Sequence, residues 1–416
     1  MDLPSIRISK SLSSHYMQEI IREIRKECPA DSPEFANPLL EKAVGAIISP
    51  SEPSYQQPFS EFRSQKPDFL TAKLSDINTE KIRNLGLETL SSDGIGILVP
   101  MAGSGGRFGG YDKSENSPDR VKALKPLFDI GKQKKVCALD IRVELIERLG
   151  AKAKYFFSCN NNTEMLLRDW LTSYPNINVC VARVPENPRF VRSSKMPQII
   201  SDIKDAMVRA ADGRLLTKPI GSIGLLVAAK RSGVLDEWIQ SGIKYAVVAN
   251  ADDVGFRVDT AALGFLEENK EYDAAVLCMP LIAGSSAKGG YIRIGSRAGD
   301  ASYYVEENAN PIGSVNYLST NQIYFRVKSL NDTILSNSVY DLPHYFEKKK
   351  TVVDNGESVD SIHAYRPICE ILRIMNTAAI EMQVAPANPG ATGYCPLKEQ
   401  NDVSKAQKYI DKYLKI

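Results

Sequence analysis

Short unbroken apolar runs alternate along this chain with stretches in which apolar residues return every third or fourth position. Ile95–Pro100 is such a run, and Lys154–Ser158, Ile177–Arg183, Lys244–Ala249, Asp273–Met279 and Gln322–Val327 repeat it. Between them, Ala138–Leu149, Thr163–Ser173, Ile220–Ser232 and Thr260–Asn269 carry helical spacing. Unbroken apolar runs suit strands covered on both faces, and apolar stripes suit the helices that cover them. The alternation predicts an α/β fold, with a Rossmann-like, mixed but mostly parallel sheet. Ligands in such sheets bind beyond the carboxyl ends of the strands, so chemistry is sought just after each run.

Upstream the rhythm is helical alone. Tyr16, Ile20, Ile21 and Ile24 share one stripe, Leu39, Leu40, Val44 and Ile47 another, and a Pro/Ser-rich stretch, Ser49–Pro58, follows. This predicts an N-terminal helical region over residues 1–90, bracing a main domain over 91–345. Residues 346–416 form a C-terminal segment, and the spacing in Val403–Leu414 predicts a closing helix.

Composition narrows the function. The net charge is +2, so any phosphate must be held by a local site; nucleic acid and charged membranes are not expected as partners. No apolar run reaches the ~18–20 residues that span a bilayer, and Met1–Ala30 has no signal-peptide core. The seven cysteines are scattered and form no C-x-x-C pair, which predicts reduced thiols, a cytoplasmic location and no zinc site. His15, His344 and His363 lie too far apart in sequence to suggest a histidine triad or metal cage.

Three segments follow predicted strands. The first, Ala102-Gly103-Ser104-Gly105-Gly106-Arg107-Phe108-Gly109-Gly110, lets backbone N–H groups approach phosphate oxygens, with Arg107 adding a charged fork. It lacks the Gly-Lys-Ser/Thr ending of a Walker loop. It also lacks the helix-opening third glycine and the acidic ribose partner of a dinucleotide fingerprint. Alone it fits a phosphate loop and an ordinary turn equally. The second segment, Lys122-Ala123-Leu124-Lys125-Pro126-Leu127, puts two lysines among apolar residues just beyond the glycines. They read as a surface pair or as point charges for a triphosphate. The third, Asn250-Ala251-Asp252-Asp253-Val254-Gly255, sets carboxylates after a buried strand. Either an Asp-rich turn or a site for a hard divalent cation follows from that.

Taken in order, these segments resemble the UTP–glucose-1-phosphate uridylyltransferase family, with UDP-N-acetylhexosamine pyrophosphorylases close behind. Ala287-Lys288-Gly289-Gly290 is similar to the family's sugar-side loop, Ser319-Thr320-Asn321-Gln322 to its asparagine-rich strand start, Lys350-Thr351 to its late lysine–threonine pair, and Pro396-Leu397-Lys398 to its C-terminal segment. The resemblance runs from Gly94 to the C-terminus and implies a nucleotide-diphospho-sugar transferase fold. It also implies attack of a sugar 1-phosphate oxygen on the α-phosphorus of a nucleoside triphosphate, with pyrophosphate leaving. On that reading Ala102, Gly103, Ser104, Gly105 and Gly106 cradle the triphosphate. Arg107, Lys125, Lys350 and Lys398 neutralise charge in the reaction, and Asp252 holds Mg²⁺. Asn250, Asp252, Gly289, Gly290, Glu306 and Asn321 line the sugar side. The expected partners are a nucleoside triphosphate and a sugar 1-phosphate, and the expected state is a monomer or homodimer.

Two departures bear on specificity. Where the family has proline-glycine-histidine-glycine near the sugar, this chain reads Pro219-Ile220-Gly221-Ser222-Ile223-Gly224, without the histidine. Where it reads the base with a glutamine, Ala182–Phe190 offers Glu186 or Asn187, with different hydrogen-bond polarity. UTP is the first expectation; GTP or ATP with a modified sugar or cyclitol phosphate is the alternative. A non-catalytic nucleotide-sugar sensor is the competing class, with less use for Arg107, Lys125, Asp252, Lys350 and Lys398. A dinucleotide-dependent oxidoreductase is disfavoured by the failed fingerprint. The left-handed β-helix tail of many relatives is expected to be short or missing after Lys398.

Overall fold

The computed structural model describes residues 71–73, 77, 79–103, 121–130, 135–148, 152–188, 190–191, 208, 217–280, 291–293, 303–305, 317–335, 342, 345–352, 358–382, 394–397 and 401–414. The chain forms two compact units. One takes in Phe59–Val184, Leu225–Val339 and Ile368–Ile416; the other includes Pro185–Gly224 and Tyr340–Pro367.

The larger unit is built on one sheet. Its strands are β1 (Thr71–Lys73), β2 (Ile95–Pro100), β3 (Ala153–Cys159), β4 (Asn178–Arg183), β8 (Tyr245–Val248), β9 (Ala274–Pro280), β12 (Tyr317–Arg326) and β15 (Thr377–Glu381), with β10 (Tyr291–Arg293) and β11 (Tyr303–Val305) as a side branch. The order is β1-β15-β9-β12-β8-β2-β3-β4. All neighbours on this path run parallel except β12, which is antiparallel to both β8 and β9. The mixed, mostly parallel sheet expected from the sequence is present.

The apolar runs explain the middle of the sheet. Ile97, Leu98 and Val99 of β2 and Ala246 and Val247 of β8 are fully buried, as central parallel strands must be. Each of these isoleucine, leucine and valine side chains contributes about 1.5–3 kcal/mol in gross burial. The covering helices are α1 (Glu80–Ser92), α2 (Ala138–Arg148), α3 (Asn161–Leu171), α4 (Gly224–Arg231), α5 (Val234–Gln240), α6 (Thr260–Glu268), α7 (Val327–Leu335) and α8 (Asp402–Tyr409). Helices α1 and α6 cross at a glycine pair. A Cβ on Gly86 would stand 1.9 Å from the Thr260 carbonyl oxygen, and one on Gly264 would stand 1.9 Å from that of Ile82.

The chain passes from β2 outward to β3 and β4, then returns to lay β8 on the other side of β2. That reversal makes a topological switch point between β2 and β8, the place where sheets of this kind bind their ligands.

The smaller unit holds the antiparallel sheet β13 (Tyr345–Val352), β14 (Ser358–Tyr365), β6 (Phe190–Val191), and the pair β5 (Glu186–Pro188) with β7 (Thr217–Pro219). Gly221 turns sharply after β7 with φ 107°. Arg366 closes this turn, donating its N–H to Ile220 O at 2.7 Å and accepting from Ile223 N at 3.2 Å.

Several expected boundaries moved. The Gly221 turn delays the helix expected over Ile220–Ser232 until Gly224. Strand β12 begins five residues before Gln322 and carries an irregularity between Ser319 and Ile323, while Val327 already opens α7. The closing helix appears as α8, continued by one π-helical turn over Ile410–Leu414.

Candidate functional site

The exit of β2 is tied to the exit of β3. Met101 donates its N–H to Ser158 O at 2.7 Å, and the Asn160 side-chain amide donates to Ala102 O at 2.8 Å. Asn160 is also the N-cap of α3: its Oδ1 accepts from Asn162 N and Thr163 N, and Thr163 Oγ1 accepts from Asn160 N. This capping box holds the chain still where the glycine segment departs. A Cβ on Gly103 would meet nothing within 4 Å, so packing does not demand a glycine there. Ser104, Gly105, Gly106 and Arg107 lie outside the described residues.

At the neighbouring exit, Ala249 continues the ladder with its N–H on Leu98 O at 3.0 Å, and the chain then turns through Asn250–Gly255. A buried arginine shapes that turn. Arg142, on α2, is 2% exposed and donates to three carbonyls: Ala249 O at 3.3 Å, Asp253 O at 3.1 Å and Asn250 O. Its guanidinium lies 5.1 Å from the centre of the Phe256 ring. Burial lowers its pKa to about 10, against the opposing charges of Asp253 and Asp252.

The two aspartates of the turn have different surroundings. Asp252 is half-buried and ion-paired with Lys122. Lys122 also donates to Leu397 O, and Leu397 N donates to Asp252 O at 3.0 Å. The lysine therefore joins Asp252 to the C-terminal strap, Tyr394–Leu397. Asp253 points inward and is 1% exposed. Its Oδ1 accepts from Gly255 N at 3.0 Å and Cys395 N at 2.7 Å, and its Oδ2 accepts from the Gln322 amide at 3.1 Å. Burial pushes its pKa up to about 6, although the Cys395 N–H and the Arg142 charge favour the carboxylate. Gly255 permits the strap to pass close, since a Cβ there would lie 2.7 Å from Cys395 N.

Asn321 sits at the same edge of the sheet. Because β12 is antiparallel, with Ile323 opposite Val248 and Ser319 opposite Cys278, its first half lies at the carboxyl ends of β8 and β9. The irregularity puts Asn321 in the left-handed region, φ 58°, with its N–H on Ser319 Oγ at 3.1 Å. Thr320 anchors the distortion by donating its hydroxyl to Leu277 O at 2.8 Å. Asparagine tolerates this conformation better than most residues.

The larger unit therefore gathers Ala102, Gly103, Asn250, Asp252 and Asn321 at the carboxyl ends of neighbouring strands. Lys125 is half-buried in a turn, its N–H on Val121 O at 3.1 Å, and no contact of its ammonium is seen among the described residues. In the smaller unit, Glu186 pairs across from Pro219, two residues before Gly221, Asn187 pairs with Lys218, and Lys350 stands opposite Asp360 in the β13–β14 ladder. Gly289, Gly290, Glu306 and Lys398 fall outside the described residues.

The sequence expectations left out four groups that this geometry makes prominent. Arg142 falls between Ile141 and Val143 in an amphipathic helix, and nothing in that spacing marks it as buried. Asn160 precedes a helix with a threonine three positions on, an N-cap signature. Asp253 and Gln322 were visible only as neighbours of residues already singled out.

Among the described residues no three His, Cys, Asp or Glu side chains cluster as a metal cage. Asp252 is one half-buried carboxylate. Mg²⁺ commonly takes one or two protein carboxylates and fills its shell with water and substrate phosphate.

Comparison with known proteins settles the family. The model of the UTP–glucose-1-phosphate uridylyltransferase family matches residues 125–382, more than half of the chain. The chain belongs to this family. A curated relative, UDP-N-acetylglucosamine diphosphorylase 1 of Arabidopsis thaliana, is 22% identical over 200 residues, 47% of this chain and 38% of the relative. The aligned stretch thus spans well under half of that relative's length. Among solved structures, the uridine diphosphate N-acetylglucosamine pyrophosphorylase of Trypanosoma brucei, determined with an inhibitor, superposes with TM-score 0.65 at 14% identity, covering 96% of this chain and 80% of that one. The UDP-glucose pyrophosphorylase of Leishmania major superposes with TM-score 0.63 at 15% identity, covering 94% and 79%. At these identities the likeness establishes the shared fold. Among the described residues no helix is long and apolar enough to cross a membrane.

Proposed function

We propose that this chain is a nucleotidyltransferase that makes a UDP-sugar and pyrophosphate from UTP and a hexose 1-phosphate. The reading is carried by the Lys122–Asp252 pair at the switch point, beside the glycine segment that leaves β2. Family membership and the names of the similar proteins support it.

In the proposed reaction an oxygen of the sugar 1-phosphate attacks the α-phosphorus of UTP. The bond from that phosphorus to the α–β bridging oxygen breaks, and pyrophosphate leaves with the electron pair. Catalysis of this kind is mainly alignment and charge neutralisation, so no nucleophilic side chain is required. The N–H groups of Ala102–Gly106 would cradle the triphosphate, while Arg107 and Lys125 would neutralise the β- and γ-oxygens. Asp252 would hold Mg²⁺, which when bound screens two anions that must meet. Lys398, following the strap, would bring charge to the reacting phosphates. Asn250, Gly289, Gly290, Glu306 and Asn321 would face the sugar.

Pyrophosphate release measured across a grid of nucleoside triphosphates and sugar 1-phosphates, with Mg²⁺, tests this. UTP with a hexose 1-phosphate is expected to give the highest rate. Silence across the grid, in protein that still binds a nucleotide sugar, would replace the enzyme with a sensor.

A further inference from the structure

We infer that Asp253 and Gln322 form a positioning brace that couples the metal side of the site to its sugar side; this rests on the function just proposed. Every hydrogen-bond partner of the Asp253 carboxylate is next to, or close to, a residue assigned to substrate. The carboxylate itself follows Asp252 in sequence. Through Oδ2 it accepts from Gln322, the neighbour of left-handed Asn321. Through Oδ1 it accepts from Cys395, three residues before Lys398. One buried group thus fixes the turn after β8, the distorted start of β12 and the C-terminal strap.

The surroundings make the brace stiff. Asp253 and Gln322 are each 1% exposed, so water cannot replace a lost bond at little cost. Arg142 grips the same turn from beneath through its carbonyls, including that of Asp253. On β12, Ser319 Oγ accepts from the Asn321 N–H and the Thr320 hydroxyl donates to Leu277 O, while the Gln322 side chain links that distortion sideways to the β8 turn. Neither Asp253 nor Gln322 is assigned a contact with substrate. They act through Asp252 and Asn321, and the prediction is therefore one of coupling between two substrates.

Gln322→Met is the informative substitution. It keeps the length and burial of the side chain but removes the donor to Asp253. Kinetics are to be measured with each substrate varied against saturating partner, and hydrogen exchange with peptides covering 319–323 and 394–397. The brace predicts that kcat/KM for the sugar 1-phosphate falls about tenfold while the KM for UTP stays within about twofold, as the loss of one buried hydrogen bond on the sugar side would produce. It also predicts faster exchange in both peptides, with β2–β4 unchanged. Leu266→Ala, a core truncation in α6 that removes no hydrogen bond of the brace, serves as the control: it lowers the melting temperature without altering the ratio of the two KM values.

Equal losses for both substrates, or exchange that accelerates throughout the sheet, would reduce Gln322 to a structural residue and overturn the coupling. Unchanged kinetics and exchange would overturn it as well. A wild-type chain silent with every substrate pair would instead overturn the proposed reaction. The exchange measurement would still decide whether the brace links 319–323 to 394–397.

Discussion

Replacing Arg142 with methionine tests how the site-bearing turn is held. The side chain is 2% exposed and its guanidinium serves the carbonyls of Ala249, Asn250 and Asp253. Methionine fills similar space but donates nothing. It leaves those acceptors without that donor and leaves the buried Asp253 carboxylate facing no cation from α2. Removing one partner from a buried charged network destabilises by about 3–5 kcal/mol. For a unit of this size that is a fall of roughly 5–8 °C in melting temperature. Calorimetry and urea unfolding at neutral pH read the change directly. Adding Asp253→Asn to Arg142→Met removes the stranded charge. The double variant should therefore recover at least ~1 kcal/mol relative to the sum of the single effects, as coupled neighbours do. A melting temperature for Arg142→Met within about 2 °C of wild type would contradict the assignment of the guanidinium to these carbonyls. So would strict additivity with Asp253→Asn.

Other parts of the molecule give further expectations. Gly264→Ala would drive a methyl group into the Ile82 carbonyl oxygen, 1.9 Å away, so the α1–α6 crossing must spread; a loss of about 1–3 kcal/mol is expected in thermal unfolding. Lys125→Ala should lower pyrophosphate release by about 10²–10³, the usual effect of losing one transition-state donor, and near-normal turnover would remove that lysine from the mechanism. Lys122→Met frees Asp252 from a competing cation, so the Mg²⁺ concentration giving half-maximal rate should fall even as turnover drops; an unchanged Mg²⁺ dependence would count against Asp252 as the ligand. Glu164 is held below the usual carboxylate range: burial raises its pKa, but hydrogen bonds from Arg183 and Arg168 more than offset this. The stability it contributes is present above its unfolded pKa, 4.5 for glutamate, and disappears as pH falls through the lower folded value. Glu164→Gln should therefore reduce stability at pH 7, by no more than about 1 kcal/mol because both arginines are more than half exposed, and should have no effect at pH 2.

The sheet was legible in the sequence because its central strands are buried on both faces and therefore written as unbroken apolar runs. Strand β2, all of β8 and most of β9 announce themselves in that way. Strands β5 and β7, three residues each, are too short to show a period, and the residues they pair lie some thirty positions apart. The start of β12 failed for another reason: its irregularity breaks the alternation that a strand would otherwise display, and Asn321 is where it breaks.

The candidate site was legible to the same depth and no further. Loops after β2 and β8 could be marked as ligand-bearing from parallel topology alone, and the resemblance supplied roles for the residues in them. What topology could not distinguish was one aspartate of the pair from the other. Asp252 and Asp253 are adjacent and identical in side chain, yet one meets Lys122 near the surface and the other meets Gln322 and two backbone N–H groups in the interior. The difference comes from partners distant in sequence. Lys122, Gln322 and Cys395 lie on three separate segments, and only the folded sheet brings them to one turn. The same holds for Lys122 and Lys125. Three residues apart in one turn, they look equivalent until the C-terminal strap arrives, and Leu397 offers its carbonyl to Lys122. Long-range closure therefore assigns the charges at this site.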